Sequence, residues 1–120
     1  MTEQCSIRYA LYILGGKWKF RIIWILSQNK AVRYNELKRH LKGISNIMLT
    51  QSLQELTEHM IVRREQYNEV PPRVEYSLTE LGEELMPALQ DMAAWAIRVK
   101  HLNGMPCDMF KDDDEDACPG

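Results

Sequence analysis

The chain has 120 residues, 45% of them apolar and 27% charged, with a formal net charge of −2. That length suits one domain around a single modest core. No apolar run is long enough to span a membrane, and the acidic total argues at first sight against a nucleic-acid partner.

Taken in chain order, Ile7, Ala10, Leu11 and Leu14 recur at helical spacing and stop at Gly15-Gly16, a strong breaker. A second helix is predicted from near Lys17 to about Gln28. Its Trp18, Ile22, Ile23, Trp24, Ile25 and Leu26 cover more than one face, as expected of a helix buried against its own domain and a partner. Ala31-Val32-Arg33 suits a short strand. Asn35 to Leu41 reads as a short helix capped by Asn35, with Leu37 and Leu41 inward, and Gly43 marks a turn. Ser45 then caps a longer helix whose Leu49, Leu53, Leu56 and Met60 form one stripe, opposite Asn46, Thr50, Gln51 and Gln54.

Two short helices, the second with an uncharged polar face and a positive N-terminus, make the pattern of a helix-turn-helix that enters the major groove. The next segment strengthens it. Ile61 to Tyr67 has strand character, Asn68-Glu69-Val70-Pro71-Pro72 cannot continue a ladder, and Val74, Tyr76 and Leu78 alternate on one side of a second strand. A hairpin directly after a recognition-type helix is a wing, with Arg73 at its base and its loop aimed at the sugar-phosphate backbone. Thr79 caps a last long helix carrying Leu81, Leu85, Leu89, Met92, Ala96 and Val99 on one stripe, widened by Trp95 and Leu102. So apolar a helix at the end of so small a chain predicts packing on a second copy. Pro87 inside it is expected to bend or disrupt it.

The charge is uneven along this order. Residues 1–73 carry 12 basic against 6 acidic side chains, and residues 107–120 carry 1 against 6. The first is a basic module suited to phosphate. The second, around Asp112-Asp113-Asp114-Glu115-Asp116, reads as a disordered, solubilising tail. The expected organisation is one domain over residues 5–102 and an acidic tail over 103–120. Three cysteines, at 5, 107 and 118, are odd in number and form no zinc-like cluster; with no secretion signal at the start, cytoplasm is the expected location.

The chain resembles the HxlR-type family of winged-helix transcriptional regulators from about Cys5 to Val99. The resemblance is carried by Cys5, Leu14-Gly15-Gly16-Lys17-Trp18, Arg33-Tyr34-Asn35-Glu36-Leu37, Gly43-Ile44-Ser45, Met48-Leu49-Thr50-Gln51-Ser52-Leu53, Val62-Arg63-Arg64, Val70-Pro71-Pro72-Arg73, Thr79-Glu80-Leu81-Gly82 and Trp95. It implies a cytoplasmic homodimer joined through its terminal helices, binding operators of dyad symmetry as repressor or activator. It further implies, for some members, sensing of electrophiles or oxidants through the N-terminal cysteine, here Cys5. Three positions depart from the family pattern: Ser6 replaces a proline, Asn29-Lys30-Ala31 replaces a Gly-Pro-like turn, and Met60 replaces a helix-ending glycine, where a left-handed cap would be costly.

The expected fold is therefore mainly α with a small β-hairpin, a winged helix-turn-helix flanked by dimerisation helices. Ser45, Asn46, Thr50 and Gln51 are the leading DNA contacts, with Met48 and Ser52 flanking them. Arg33, Lys38, Arg39, Arg64 and Arg73 are phosphate candidates, with Glu36, Glu65, Glu69 and Glu75 available to pair with them instead. Ile7, Trp24, Leu85, Leu89, Met92, Trp95 and Val99 are candidates for the dimer interface. A thiolate at Cys5 would be favoured by the positive end of the first helix and by Arg8 one turn on, which suits a redox sensor. His40, His59 and His101 lie on separate elements without triad or metal spacing, so neither catalysis nor a cofactor is expected. Two other functions stay open: a regulator answering a small molecule held between the winged domain and the terminal helices, and a protein-interaction module of the same fold.

Overall fold

The structure is a computed structural model that describes residues 3–105. Cys107, Cys118 and the acidic run of the expected tail lie outside the described residues. The elements are α1 (Glu3–Leu14), α2 (Lys19–Ser27), β1 (Val32–Arg33), α3 (Tyr34–His40), α4 (Asn46–Glu58), β2 (Val62–Tyr67), β3 (Arg73–Leu78), α5 (Glu80–Glu84) and α6 (Met86–Leu102).

The core forms where periodicity places apolar side chains on a shared side. In α2 the buried positions Lys19, Ile22, Ile23 and Leu26 follow the three-four spacing of one helix face. Leu37 and Leu41 from α3 and its end, and Leu49, Leu53 and Leu56 from α4, close on them. Each such side chain contributes about 1.5–3 kcal/mol by leaving water. The sheet has the order β1-β3-β2, all antiparallel, with Val62 opposite Leu78, Tyr67 opposite Arg73, and Val32 opposite Tyr76. Tyr76 and Leu78 are buried on the side that faces the helices, as their alternation predicts. The hairpin thus gains a third, two-residue strand from the segment before α3.

Several boundaries depart from expectation. Asn35 is not a cap: the N-cap lies two residues earlier, at Arg33, whose backbone N–H donates to Glu36 Oε1 at 3.4 Å. Met60 is off the apolar stripe of α4 and exposed, in a left-handed conformation with φ 64°. Its N–H donates to the Thr57 carbonyl and that of Ile61 to the Leu56 carbonyl, the two bonds of a Schellman cap without the usual glycine. The last helix is two helices. Thr79 does cap, accepting from the Gly82 N–H at 3.0 Å, but α5 ends at Glu84, and Pro87 lies in the first turn of α6 rather than in a helix interior. There its missing N–H would have had no partner anyway.

The terminal helices sit differently from the core. In α1 Leu14 alone is buried; Ile7, Leu11 and Tyr12 are exposed. In α6 Leu89 is buried, whereas Met92, Trp95 and Leu102 stand open.

Candidate nucleic-acid interface

The face of α4 away from the core begins at a well-made helix start. Ser45 is extended, and its Oγ accepts from the Met48 N–H at 3.1 Å, leaving the other first-turn donors aimed outward. Asn46, Ile47, Thr50, Gln51 and Gln54 are exposed there, and Met48 is 42% exposed. No charged side chain interrupts this set before Glu55, so it offers amide and hydroxyl groups with two large apolar side chains, Ile47 and Met48. Those are the groups that pair with base edges and meet the thymine methyl. Ile47, 78% exposed, was not singled out from sequence; an apolar residue off the buried stripe of a helix that should read bases is the signal that finds it.

Ser52 does not belong to this face. It is 6% exposed and sits with Leu49, Leu53 and Leu56 on the core side, where a three-residue step from Leu49 puts it. It is therefore no base contact.

Two side chains outside α4 fix the helix. Tyr34, the first residue of α3, has its Oη 3.1 Å from the Asn46 backbone oxygen, 3.3 Å from Asn46 Oδ1 and 3.2 Å from Thr50 Oγ1. Lys19 on α2 is buried; its Nζ donates to the Ile13 carbonyl at 3.1 Å and forms an ion pair with Glu55. One ammonium thus ties the last turn of α1 to the last turn of α4. The hydrogen bond from Lys19, joined by one from Gln51, holds the Glu55 carboxyl below the ordinary carboxylate range. A second contact runs beside it, with the Tyr12 ring edge-on to His59 at 5.7 Å, at the end of α4. Neither Tyr34 nor Lys19 is predictable from local pattern, because each acts across elements.

Among the phosphate candidates, Arg33, Arg39 and Arg64 are exposed and Lys38 is half-buried. Arg73 is committed within the wing. Its Nη2 pairs with Glu69 at 3.3 Å, its Nε lies 3.5 Å from Glu75 Oε2 in ion-pair range without a hydrogen bond, and its guanidinium covers the Tyr67 ring at 4.2 Å. Tyr67 Oη donates to Glu65 Oε2 at 2.9 Å, which raises the phenol above its ordinary range. Two carboxylates therefore hold one guanidinium where the strands of the wing meet its loop, and Arg73 is engaged within the hairpin.

Of the dimer candidates, Ile7, Met92 and Trp95 are exposed and Val99 is half-buried. Trp24 and Leu85 pack partly against the core, and Leu89 is buried in it, 5% exposed, so Leu89 serves its own chain. Trp18 is buried where α1 passes into α2, with Lys17 and Arg21 over its ring. Cys5 is exposed, within the first turn of α1. A half-open groove of about 630 Å³ lies between α2, the end of α3 and α6, walled by Phe20, Trp24, Leu41, Met92 and Ala93 with Arg21, Gln28 and His40 among its polar groups.

A capped polar helix braced by a shorter one and followed by a β-hairpin wing defines a winged helix-turn-helix, an architecture that sets a helix in the DNA major groove. The comparisons give the family. Residues 13–103 match the HxlR-like helix-turn-helix family, and the chain belongs to it. MalR of Fusobacterium mortiferum is 49% identical over 92 residues, covering 77% of this chain and 87% of MalR. Among solved structures, the redox regulator HypR in its oxidized form superposes with a TM-score of 0.72 at 42% identity, covering 76% of this chain and 93% of HypR. The reduced form of the transcriptional regulator YodB from Bacillus subtilis gives 0.70 at 32% identity, covering 93% of this chain and 96% of YodB.

Proposed function

We propose that the chain is a cytoplasmic, sequence-specific regulator that binds an operator of dyad symmetry as a homodimer. The exposed, uncharged face Asn46-Thr50-Gln51 behind the Ser45 cap carries this reading. In it Ser45, Asn46, Met48, Thr50 and Gln51 meet base edges or nearby phosphate, and Arg33, Lys38, Arg39 and Arg64 meet phosphate. The open apolar sides of α1 and α6, with Ile7, Met92 and Trp95, support a second copy of the chain as their cover. Two copies would set two reading heads about one helical turn of DNA apart. Selection of a binding site from random duplexes tests the reading: a two-half-site sequence supports it, and no enrichment contradicts it.

The signal belongs to the same proposal. The exposed position of Cys5 and the likeness to the redox regulator HypR and to diamide-treated YodB support thiol oxidation as the switch. Two thiols, one of them Cys5, would lose two protons and two electrons to an external oxidant such as diamide and form a disulfide. Operator release by diamide from the wild type but not from Cys5→Ser is the expected result; equal release from both rejects Cys5. The groove favours a second reading, in which a small aromatic molecule displaces the operator without any thiol. Release by such a compound from Cys5→Ser, abolished by Ala93→Phe, selects it.

A further inference from the structure

We propose that Tyr34 is a specificity-determining positioning residue: its hydroxyl holds Asn46 and Thr50 in the orientations from which α4 reads base edges. The inference rests on the reading of α4 as the base-reading helix and adds a residue outside that helix to its specificity. Tyr34 opens α3, and its half-buried ring packs against the core, which fixes the direction of the phenol. The Oη reaches across 12 positions to Asn46 and 16 to Thr50, with contacts of 3.1, 3.3 and 3.2 Å.

A phenol has one proton and two lone pairs. The proton serves an oxygen of Asn46, its backbone carbonyl or Oδ1, and a lone pair is left for the Thr50 hydroxyl. Asn46 and Thr50 are four residues apart, one above the other on the same side of α4, so a single hydroxyl can hold both. With Oδ1 turned to Tyr34, the amide of Asn46 presents its two Nδ2 protons on the side away from it. A donor so fixed selects acceptors such as purine N7, guanine O6 or thymine O4. With its hydroxyl engaged, Thr50 turns its methyl group away, where it suits the thymine methyl. Without the phenol oxygen the Asn46 amide is free to flip, and acceptor and donor become interchangeable toward the base.

Tyr34→Phe keeps the ring and removes the oxygen. Affinity is measured for the site the wild type selects from random duplexes and for a scrambled duplex, across salt concentrations, with thermal unfolding as the check on folding. The expected result is a drop of about tenfold in the ratio of selected-site to scrambled affinity. The salt slope should not change, because no phosphate contact is lost. Thr50→Val should cost less selectivity in the Tyr34→Phe background than alone, and site selection by Tyr34→Phe should broaden at the bases where Asn46→Ala broadens it. An unchanged ratio in Tyr34→Phe, or equal weakening on both duplexes, overturns the role of Tyr34 while leaving α4 as the reader. A wild type that selects no site overturns both.

Discussion

Gln51 and Arg64 are both exposed polar side chains, yet their loss should act on different observables. If Gln51 meets a base edge as proposed, Gln51→Ala should lower selective binding about tenfold while scrambled DNA is bound as before. If Arg64 meets phosphate as proposed, Arg64→Ala should weaken binding to every duplex and flatten the slope of log affinity against log salt by about 1. Titrations of both variants at several salt concentrations separate the two; identical behaviour would mean that α4 and the wing do not divide the work this way. The sequence shows such residues when their role follows from spacing. Ser45 precedes a helix and caps it, and Asn46, Thr50 and Gln51 lie opposite the leucine stripe. It misleads where one step of the period decides: Ser52 falls on the buried side. It is silent on Tyr34 and Lys19, whose partners are many positions away. Arg73 is intermediate, since its acidic partners at 69 and 75 are visible in the sequence but their hold on it is not.

At the scale of elements, most of the architecture follows from alternation, three-four spacing and caps, and the departures have local causes. The short strand at Val32 and Arg33 is legible in the sequence, but its place beside β3 is not, because two residues carry no period to set a register. The break at Leu85 reflects the preference of proline for a first turn. Met60 is the costly feature, a non-glycine in a left-handed cap on an otherwise complete Schellman bond pair. Met60→Gly should therefore stabilise the chain by about 1 kcal/mol, read as a higher denaturant midpoint; a lower midpoint would show that the side chain is needed. Gly82 is the converse. A Cβ there would collide with the Ile61 carbonyl oxygen, where α5 crosses the start of β2. Gly82→Ala should cost about 2–3 kcal/mol. Acid stability tests the tie between α2 and α4. A carboxyl lowered on folding contributes stability above its unfolded value of 4.5, and that contribution is lost as pH falls through the lower folded value. The difference in stability between wild type and Glu55→Gln should thus shrink as the pH falls below about 4.5. A difference that stays constant across that range would show that the Lys19–Glu55 pair does not contribute through its charge.

Across the whole molecule, the winged core satisfies itself and the terminal helices do not. A helix of 12 residues with one buried side chain is marginal alone in water, so α1 points to a partner. Lys19 and the Tyr12–His59 contact place that same helix against α4, which gives a change at α1 a short physical route to the reading face. Trp95→Glu should therefore yield monomer by sedimentation and lose operator affinity, while the winged core keeps its fold by circular dichroism. Among the described residues no helix is long and apolar enough to cross a membrane. What the sequence left open at this scale is how the two ends meet a partner, because a stripe of apolar residues marks a surface without naming its cover.

The most direct test of the central claim is binding of the reduced protein to a duplex from its own upstream region, beside a scrambled duplex, at two salt concentrations. The account predicts tight, selective binding to the upstream duplex that weakens steeply as salt rises, at two protein chains per site. Equal binding to both duplexes, or none to either followed by no enrichment from random DNA, would contradict it and leave the polar face of α4 to a protein partner.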